Sequence, residues 1–566
     1  MNQRQKHVGF EVIAKNEREY PLMRAGKIHT EHGEVETPAF SPVASYGYVK
    51  QVGNATLAAL GMQIRMTNSY LLFGRGELDN IFARGGLANY DPRGDMVIDE
   101  GKWVGATISD SGGFQVMSDD NDKENNGGKV GFHEKYAAMT DDDVSVNKGK
   151  NVEVLDDGVW FNAEWNKSSN KRIFYSPERA MESQHKLGAD MFMAFDQLTN
   201  LADGYNYNVE ALERTRKWAV RCMQEHVKLT RKYATRPYQM FMPVIQGGHW
   251  RDLREKASTD MANLRVEDAD GSWEPDGFGL GGSWTFENLG EEMSWTTKNL
   301  PENKPRHLLG ISDPEHVFVG VENGADTFDC VAPTREARNG RIYTTEGNRN
   351  ITSAFFANSH GALDEKCDCP VCAGQIRELD EQQIPTKNFT KYEPFSDADL
   401  SENLNAEIAK YVANFSNGKS NFNGEELTEN LRKDIAENRA APAVLRMMSK
   451  SKNRDLTGKY FELASVHNIR FMLRLMEEIR ENIVAGKYQE FKDNFMNHFY
   501  YGKVFREKLS SNKNEKSGEN TSEILNNKRR EISAKIDEIF PWPKVPHAQK
   551  YLGKIAAKSL RKNSEK

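Results

Sequence analysis

Residues 326–335 read Asp-Thr-Phe-Asp-Cys-Val-Ala-Pro-Thr-Arg: a short apolar lead that breaks off at a carboxylate, Asp329, with Arg335, Arg338 and Arg341 just downstream. A carboxylate at the end of a buried strand is held at fixed geometry and can serve as a nucleophile, while guanidinium groups close by collect phosphates. The same residue can also simply cap the turn that follows. Reading outward from this stretch for runs of the same kind gives Pro38–Val43, Met62–Thr67, Ala106–Asp110, Asp190–Asp196, Met240–Gln246, Gly277–Gly281 and Arg306–Gly310, with Ala325–Asp329 as the eighth. Helical signals fall between them at Asn54–Leu60, Pro177–Leu187, Val209–Lys232, Trp250–Leu264, Phe286–Lys298 and Pro314–Asn323.

Eight strand-like runs alternating with helices predict an α/β chain folded as a (β/α)8 TIM barrel, with an open doubly wound sheet as the alternative. The barrel reading carries a chemical expectation. Polar residues that close different strands, here Asp110, Asp196, Gln246, Gly281 with Gly282, and Asp329, should converge on one pocket.

The chain has 566 residues, a hydrophobic fraction of 38% and a charged fraction of 28%, so a large domain with satellites is expected. No run of about 18 apolar residues could span a bilayer, and the N-terminus lacks a secretory h-region, which makes the cytoplasm the expected location. The net charge of -7 argues against indiscriminate nucleic-acid binding and leaves room for a focused basic patch.

Five cysteines, three of them in Cys367-Asp-Cys369-Pro-Val-Cys372, suit a metal site better than a disulfide framework. Three thiolates at this spacing can face one tetrahedral zinc ion and need a fourth ligand. The histidines after them are His467, His498 and His547. His467 is expected to begin an amphipathic helix whose buried stripe is Met472, Leu475, Met476, Ile479 and Ile483. A reduced cysteine cluster without metal is the alternative.

Three regions fall outside the strand–helix rhythm. Residues 119–150 read as an inserted polar loop, residues 373–456 as a charged helical insertion, and residues 541–566, with seven Lys or Arg against the single acid Glu565, as a basic end. The division expected is a catalytic barrel at 1–360, a zinc-binding subdomain at 361–502 and a polar tail at 503–566.

Taken together, Ser109-Asp-Ser-Gly-Gly-Phe-Gln115, Val244-Ile-Gln-Gly-Gly248, Gly279-Leu-Gly-Gly282, Thr327–Arg335 and the cysteine cluster resemble tRNA-guanine transglycosylases, the queuine tRNA-ribosyltransferase family, in its bacterial form. The resemblance runs from about Arg24 to Gly502, outside the two insertions. It implies an enzyme, a pentosyltransferase of queuosine biosynthesis, that exchanges guanine at the anticodon wobble position for a 7-deazaguanine by double displacement. It further implies Asp329 as the nucleophile on ribose C1′ and Asp110 as the group that moves protons. The base would lie among Asp110, Ser111, Gly112, Gly113, Phe114, Asp196, Gln246 and Gly282. The anticodon loop of tRNA would contact Gly310, Ile311, Ser312, Asp313, Pro314, Glu315 and His316, and then Thr334, Arg335, Glu336, Ala337 and Arg338. Cys367, Cys369, Cys372 and His467 would hold one structural zinc ion, and two copies of the chain would form a homodimer.

The pattern departs from the family at Ser283-Trp-Thr285, where Leu, then Ala or Ser, then Val or Gly is usual. Thr285 is valine-sized, which points to 7-aminomethyl-7-deazaguanine as the incoming base, and Glu287 is an acid that could neutralise its ammonium. Two other functions share these motifs: a paralogue that modifies DNA, and a non-catalytic partner subunit. Retention of Asp110 and Asp329 argues against the second, and the Pro333-Thr-Arg-Glu-Ala-Arg338 run favours RNA over DNA.

Overall fold

The computed structural model describes residues 7–93, 103–118, 152–161, 172–372, 402–416 and 423–511, apart from residues 17, 202, 270, 286, 354, 355 and 438. The chain forms two compact units, Met1–Ala58 with Met62–Cys330, and Ala59–Gly61 with Val331–Lys566.

The first unit is α/β. Its parallel strands are β1 (Ala39–Pro42), β2 (Ile64–Asn68), β3 (Ala106–Asp110), β4 (Met191–Met193), β5 (Met240–Met242), β6 (Val244–Ile245), β7 (Phe278–Leu280), β8 (Arg306–Leu308) and β9 (Thr327–Cys330). They pair as one sheet in the order β5-β4-β3-β2 and another in the order β6-β7-β8-β9-β1. Each of the eight apolar runs coincides with one of these strands, β2 and β9 extending one residue beyond theirs to Asn68 and Cys330, and the run Met240–Gln246 holds two strands separated by Pro243. Proline lacks an N–H and fixes its own φ, so it interrupts the ladder there. The carbonyls on either side of that break are both used: Met242 accepts from Ala194 N at 2.9 Å and Pro243 from Gly279 N at 2.9 Å. At the other margin an isolated parallel bridge joins Val43 to Met66.

The strands are buried on both faces, which explains the unbroken apolar sequences of β4, β5 and β7, while β2 (Ile-Arg-Met-Thr-Asn) buries polar side chains as well. Local chemistry sets the helices between them. Ser176 caps the helix Pro177–Leu187 by accepting from Arg179 N at 3.3 Å, Pro177 occupies its first turn, and Gly188 ends it at φ 66°. Phe195, just past β4, stacks on Trp218 of the helix Tyr205–Lys232 with centroids 4.9 Å apart. Three small antiparallel sheets decorate this unit: Gly9–Asn16 with Tyr20–Thr30 and Gly33–Thr37, Val152–Leu155 with Gly158–Phe161 and Ile173–Tyr175, and Val266–Asp268 with Gly271–Trp273.

The second unit is largely helical, built on Arg454–Val484 with Glu402–Ser416, Gly424–Ala436, Pro442–Lys450 and Tyr488–Ser511. His467 lies in the middle of the long helix rather than at its start, because the N-cap is Asn453, whose side chain accepts from Asp455 N. The expected stripe of Met472, Leu475, Met476, Ile479 and Ile483 is buried. The loop expected at 119–150, the first part of the insertion expected at 373–456 and the basic end at 541–566 lie outside the described residues. No described helix is long and apolar enough to cross a membrane.

Candidate active site and metal centre

At the C-terminal ends of the parallel strands, polar groups from different strands meet. Asp110 closes β3, and its carboxyl is pushed up to about 7, first by burial and then by the negative charges of Asp196 and Asp329. The charges of Asp196 and Asp329 are thus near enough to act on Asp110. Asn68, at the end of β2, donates to Asp110 Oδ2 at 2.8 Å and to Gln115 Oε1 at 2.9 Å, fixing the rotamer of the acid. Asp196, past β4, is pushed up to about 6 by burial, against the opposing hydrogen bond from Gln246 Nε2 at 2.6 Å.

The glycines that follow Asp110 are required by packing. Gly112 sits at φ 87°, and a Cβ there would lie 2.2 Å from Tyr70 Cβ. A Cβ on Gly113 would lie 2.9 Å from both the carbonyl oxygen and Oδ1 of Asp196, so this turn abuts the second acid. Ser111 is buried and Phe114 half-buried at the beginning of the helix Gly113–Ser118.

Asp329 is held on one side only. Its Oδ1 accepts from Gly310 N at 3.1 Å and lies 3.1 Å from His307 Nε2, and His307 Nδ1 is 2.8 Å from Thr327 Oγ1. Oδ2 has no hydrogen-bond partner among the described residues, and the side chain is 13% exposed while His307 is fully buried.

The segment after β7 forms a braced wall. Arg254 donates to the carbonyls of Gly248 and Gly281, each at 2.7 Å, and stacks 3.9 Å above the Trp284 ring. A Cβ on Gly282, at φ 128°, would meet Arg254 Nη2 at 2.3 Å. Ser283 Oγ donates to Thr199 O at 2.7 Å. Thr285 Oγ1 donates to Glu292 Oε1 at 2.8 Å, and burial raises the Glu292 carboxyl. Glu287, the acid singled out from sequence, is exposed, and the buried acid bonded to this wall is Glu292. The difference is one of helix phase: Glu292 lies on the inner face of Leu289–Thr297, whereas Glu287 precedes that helix in an exposed turn. Gln246 Oε1, Arg254 Nη2 and Trp284 Nε1 are buried without partners among the described residues.

In the same unit Gly310 is exposed at φ 79°, Ile311 and Ser312 are buried, and Asp313 Oδ1 caps Glu315 N at 3.2 Å where Pro314 opens the helix Pro314–Glu322. His316 is partly buried on that helix. In the second unit Thr334 and Ala337 are buried in the helix Ala332–Arg338, Arg335 is exposed, and Glu336 faces Arg341 at 3.4 Å. Burial and the charge of Arg335 lower the pKa of Arg338, and neither arginine has an acidic partner among the described residues. Two neighbouring cations without an acidic partner among the described residues could attract an anion.

Cys367, Cys369, Cys372 and His467 gather in the second unit, all four buried, with candidate ligand atoms within 4.8 Å of one another. His467 Nδ1 lies 3.7, 3.3 and 3.4 Å from the three sulfurs in sequence order. Zinc bonds of about 2.3 Å to sulfur and about 2.0 Å to nitrogen, arranged tetrahedrally, require sulfur–nitrogen edges of about 3.5 Å, so the donor set fits that ion. The other ring nitrogen, Nε2, donates to Tyr343 O at 2.7 Å, which turns Nδ1 toward the sulfurs. Cys369 N and Cys372 N donate to the preceding cysteine sulfurs at 3.4 and 3.3 Å. Asp368, between the first two cysteines, is clamped by Arg470 through bonds of 2.9 and 2.6 Å.

Sequence reasoning singled out Asp110, Asp196, Gln246 and Asp329, and the structure brings them to one end of the parallel strands. It missed Asn68, His307, Arg254 and Glu292. The available signal was a polar side chain within a buried strand for the first two and a charge on the buried face of a helix for the others.

A family profile described as "Queuine tRNA-ribosyltransferase" matches residues 21–142, 138–385 and 425–501. Curated proteins carrying that name are similar over most of the chain. The Bacillus subtilis protein is 28% identical over 483 residues, 85% of this chain and 93% of its own length. That of Herpetosiphon aurantiacus is 29% identical over 479 residues, 84% of this chain and 90% of its own. That of Shouchella clausii is 33% identical over 352 residues, 62% of this chain and 78% of its own. With the profile covering the strand-end carboxylates and the Cys₃His cluster, and relatives similar over most of the chain, the chain belongs to the queuine tRNA-ribosyltransferase family.

Proposed function

We propose that this enzyme, a pentosyltransferase of the tRNA-guanine transglycosylase type in queuosine biosynthesis, works by double displacement at a ribose C1′ in the anticodon loop. Asp329 Oδ2 attacks C1′, the C1′–N9 bond breaks, and its electron pair leaves with guanine as Asp110 supplies a proton. The incoming base then gives its N9 proton to Asp110, and N9 bonds to C1′ as the C1′–Oδ2 bond breaks. The observation that carries this reading is the asymmetry of the two acids. Asp110, near 7, can both hold and release a proton at neutral pH, whereas Asp329 has a free oxygen for attack. Two inversions retain the configuration of the sugar.

In this reading Asp196 accepts from the N–H groups on the pyrimidine edge of the base, Gln246 and the Gly282 N–H serve its carbonyl, Phe114 stacks on the ring, and the backbone at Ser111, Gly112 and Gly113 closes the pocket. The incoming base is 7-aminomethyl-7-deazaguanine, for which the size of Thr285 is the support, with Glu292 behind it in the place assigned to Glu287. Residues 310–316 of the first unit and residues 334–338 of the second are the candidate contacts to the loop, and Arg335 and Arg338, without an acidic partner among the described residues, meet phosphate.

The Cys₃His cluster holds structural zinc, the chains pair as a homodimer, and a tRNA substrate places the reaction in the cytoplasm. The two parallel sheets form one (β/α)8 barrel. The Val43–Met66 bridge at one margin and the continuous chain through Pro243 at the other support that closure. Functionally the chain then divides into a catalytic part at 1–360, a zinc subdomain at 361–502 and a tail at 503–566.

Labelled guanine and an anticodon stem-loop containing U-G-U, in RNA and in DNA form, test the reaction. Label entering the RNA alone is the expected outcome. Label entering only DNA, or neither, refutes it.

A further inference from the structure

We infer that His307 is a positioning residue that makes Asp329 a good leaving group, so that the histidine acts mainly on breakdown of the covalent enzyme–RNA intermediate. This inference rests on the double-displacement reading above. An ionised carboxylate can only accept hydrogen bonds, so the 3.1 Å approach of His307 Nε2 to Asp329 Oδ1 requires the ring hydrogen on Nε2. With one ring hydrogen placed on Nε2, Nδ1 is the acceptor, and the Thr327 hydroxyl at 2.8 Å supplies its hydrogen. Thr327 is itself buried two residues before Asp329 on β9, and His307 pairs directly with it across β8 and β9. The tautomer is thereby fixed by the sheet.

The consequence is a division of labour between the two carboxylate oxygens. Oδ1 has two donors, Gly310 N–H and His307 Nε2–H, and Oδ2 has none among the described residues. Attack through Oδ2 converts Oδ1 into the carbonyl oxygen of a glycosyl ester, still facing the same two donors. When the incoming base displaces the ester, the C1′–Oδ2 electron pair returns to the carboxylate, and charge grows on Oδ1 where the donors already wait. Donors aimed at charge that develops in a transition state accelerate that step. In the first step the same donors stabilise the starting carboxylate, so their loss raises its basicity and offsets some of the lost orientation. The two half-reactions should therefore respond unequally.

Rapid-quench measurements with an anticodon stem-loop separate the half-reactions: adduct formation from enzyme and RNA, and adduct decay after addition of excess guanine. The wild-type enzyme must first yield a denaturant-resistant RNA adduct, and its absence would defeat the double-displacement reading rather than the role of His307. Given that adduct, His307→Phe is expected to slow decay by about 10- to 100-fold. Formation should change by much less, the adduct should accumulate at steady state, and KM for the stem-loop should hold. His307→Gln, which returns an N–H donor, should recover part of the decay rate. Thr327→Val, which releases the tautomer without touching Asp329, should shift the balance in the same direction by a smaller factor, and it carries the test if the Phe variant does not fold. Equal loss in both half-reactions, or no change in decay, would overturn the inference.

Discussion

Replacing Asp196 with asparagine should make the protein more stable and the enzyme worse. The carboxyl is 8% exposed and is displaced from an ordinary value of 3.8 to about 6, mainly by burial. A native pKa above the unfolded value means that the folded state binds the proton more tightly, so stability falls as pH rises from about 4 to about 6 and stays reduced above that. Two pH units at about 1.4 kcal/mol each set a cost of up to about 3 kcal/mol at pH 8. Asparagine carries no charge and can still accept from Gln246 Nε2, so Asp196→Asn should recover about 1–3 kcal/mol at pH 8 and close to none at pH 4. Urea unfolding at both pH values measures the difference. If Asp196 serves the purine edge as proposed, the same variant leaves it one acceptor in place of two, and KM for guanine should rise at least tenfold. A variant no more stable than wild type at pH 8 would refute the account of burial as the dominant cause.

Other consequences can be checked independently. Cys369→Ala should take zinc from one equivalent per chain to none by elemental analysis, with earlier unfolding of the second unit, because metal binding and folding are coupled. His185 and His226, buried 3.0 Å apart, have pKa values driven down by burial, His185 to about 3. Folded imidazoles that refuse protons lose stability as pH drops below about 6.5, by up to about 1.4 kcal/mol per pH unit for each ring. The His185→Gln, His226→Gln double variant should flatten the thermal midpoint between pH 7 and pH 5, and an unchanged acid dependence would contradict that cause. Arg335→Ala and Arg338→Ala should each raise KM for the stem-loop and lower the slope of log affinity against log salt by about 0.7, with little change in KM for guanine.

Much of this is legible in the sequence alone. Buried parallel strands are apolar on both faces, so runs such as Met240–Gln246 announce themselves, and a carboxylate that ends one, as Asp110 and Asp329 do, is conspicuous. The short antiparallel strands were not legible, because three or four residues such as Val152–Leu155 carry too little alternation to separate them from loop. His307 escaped notice because a lone histidine inside a strand gives no periodic signal, and its meaning lies in Thr327 and Asp329 on the neighbouring strand. Asn68 was hidden in the same way, since its partner Asp110 is one strand over. The cysteine spacing points to a metal, but the sequence gives no clear start for the helix carrying His467, whose cap is Asn453.

The central claim is that Asp329 becomes covalently bonded to ribose. Wild-type protein incubated with the U-G-U stem-loop, denatured and digested should yield one RNA-linked peptide, and tandem mass spectrometry should place the mass on Asp329. Asp329→Ala, folded and retaining zinc, should yield none and should not exchange guanine. An adduct on any other residue, or guanine exchange surviving in that variant, would contradict the mechanism.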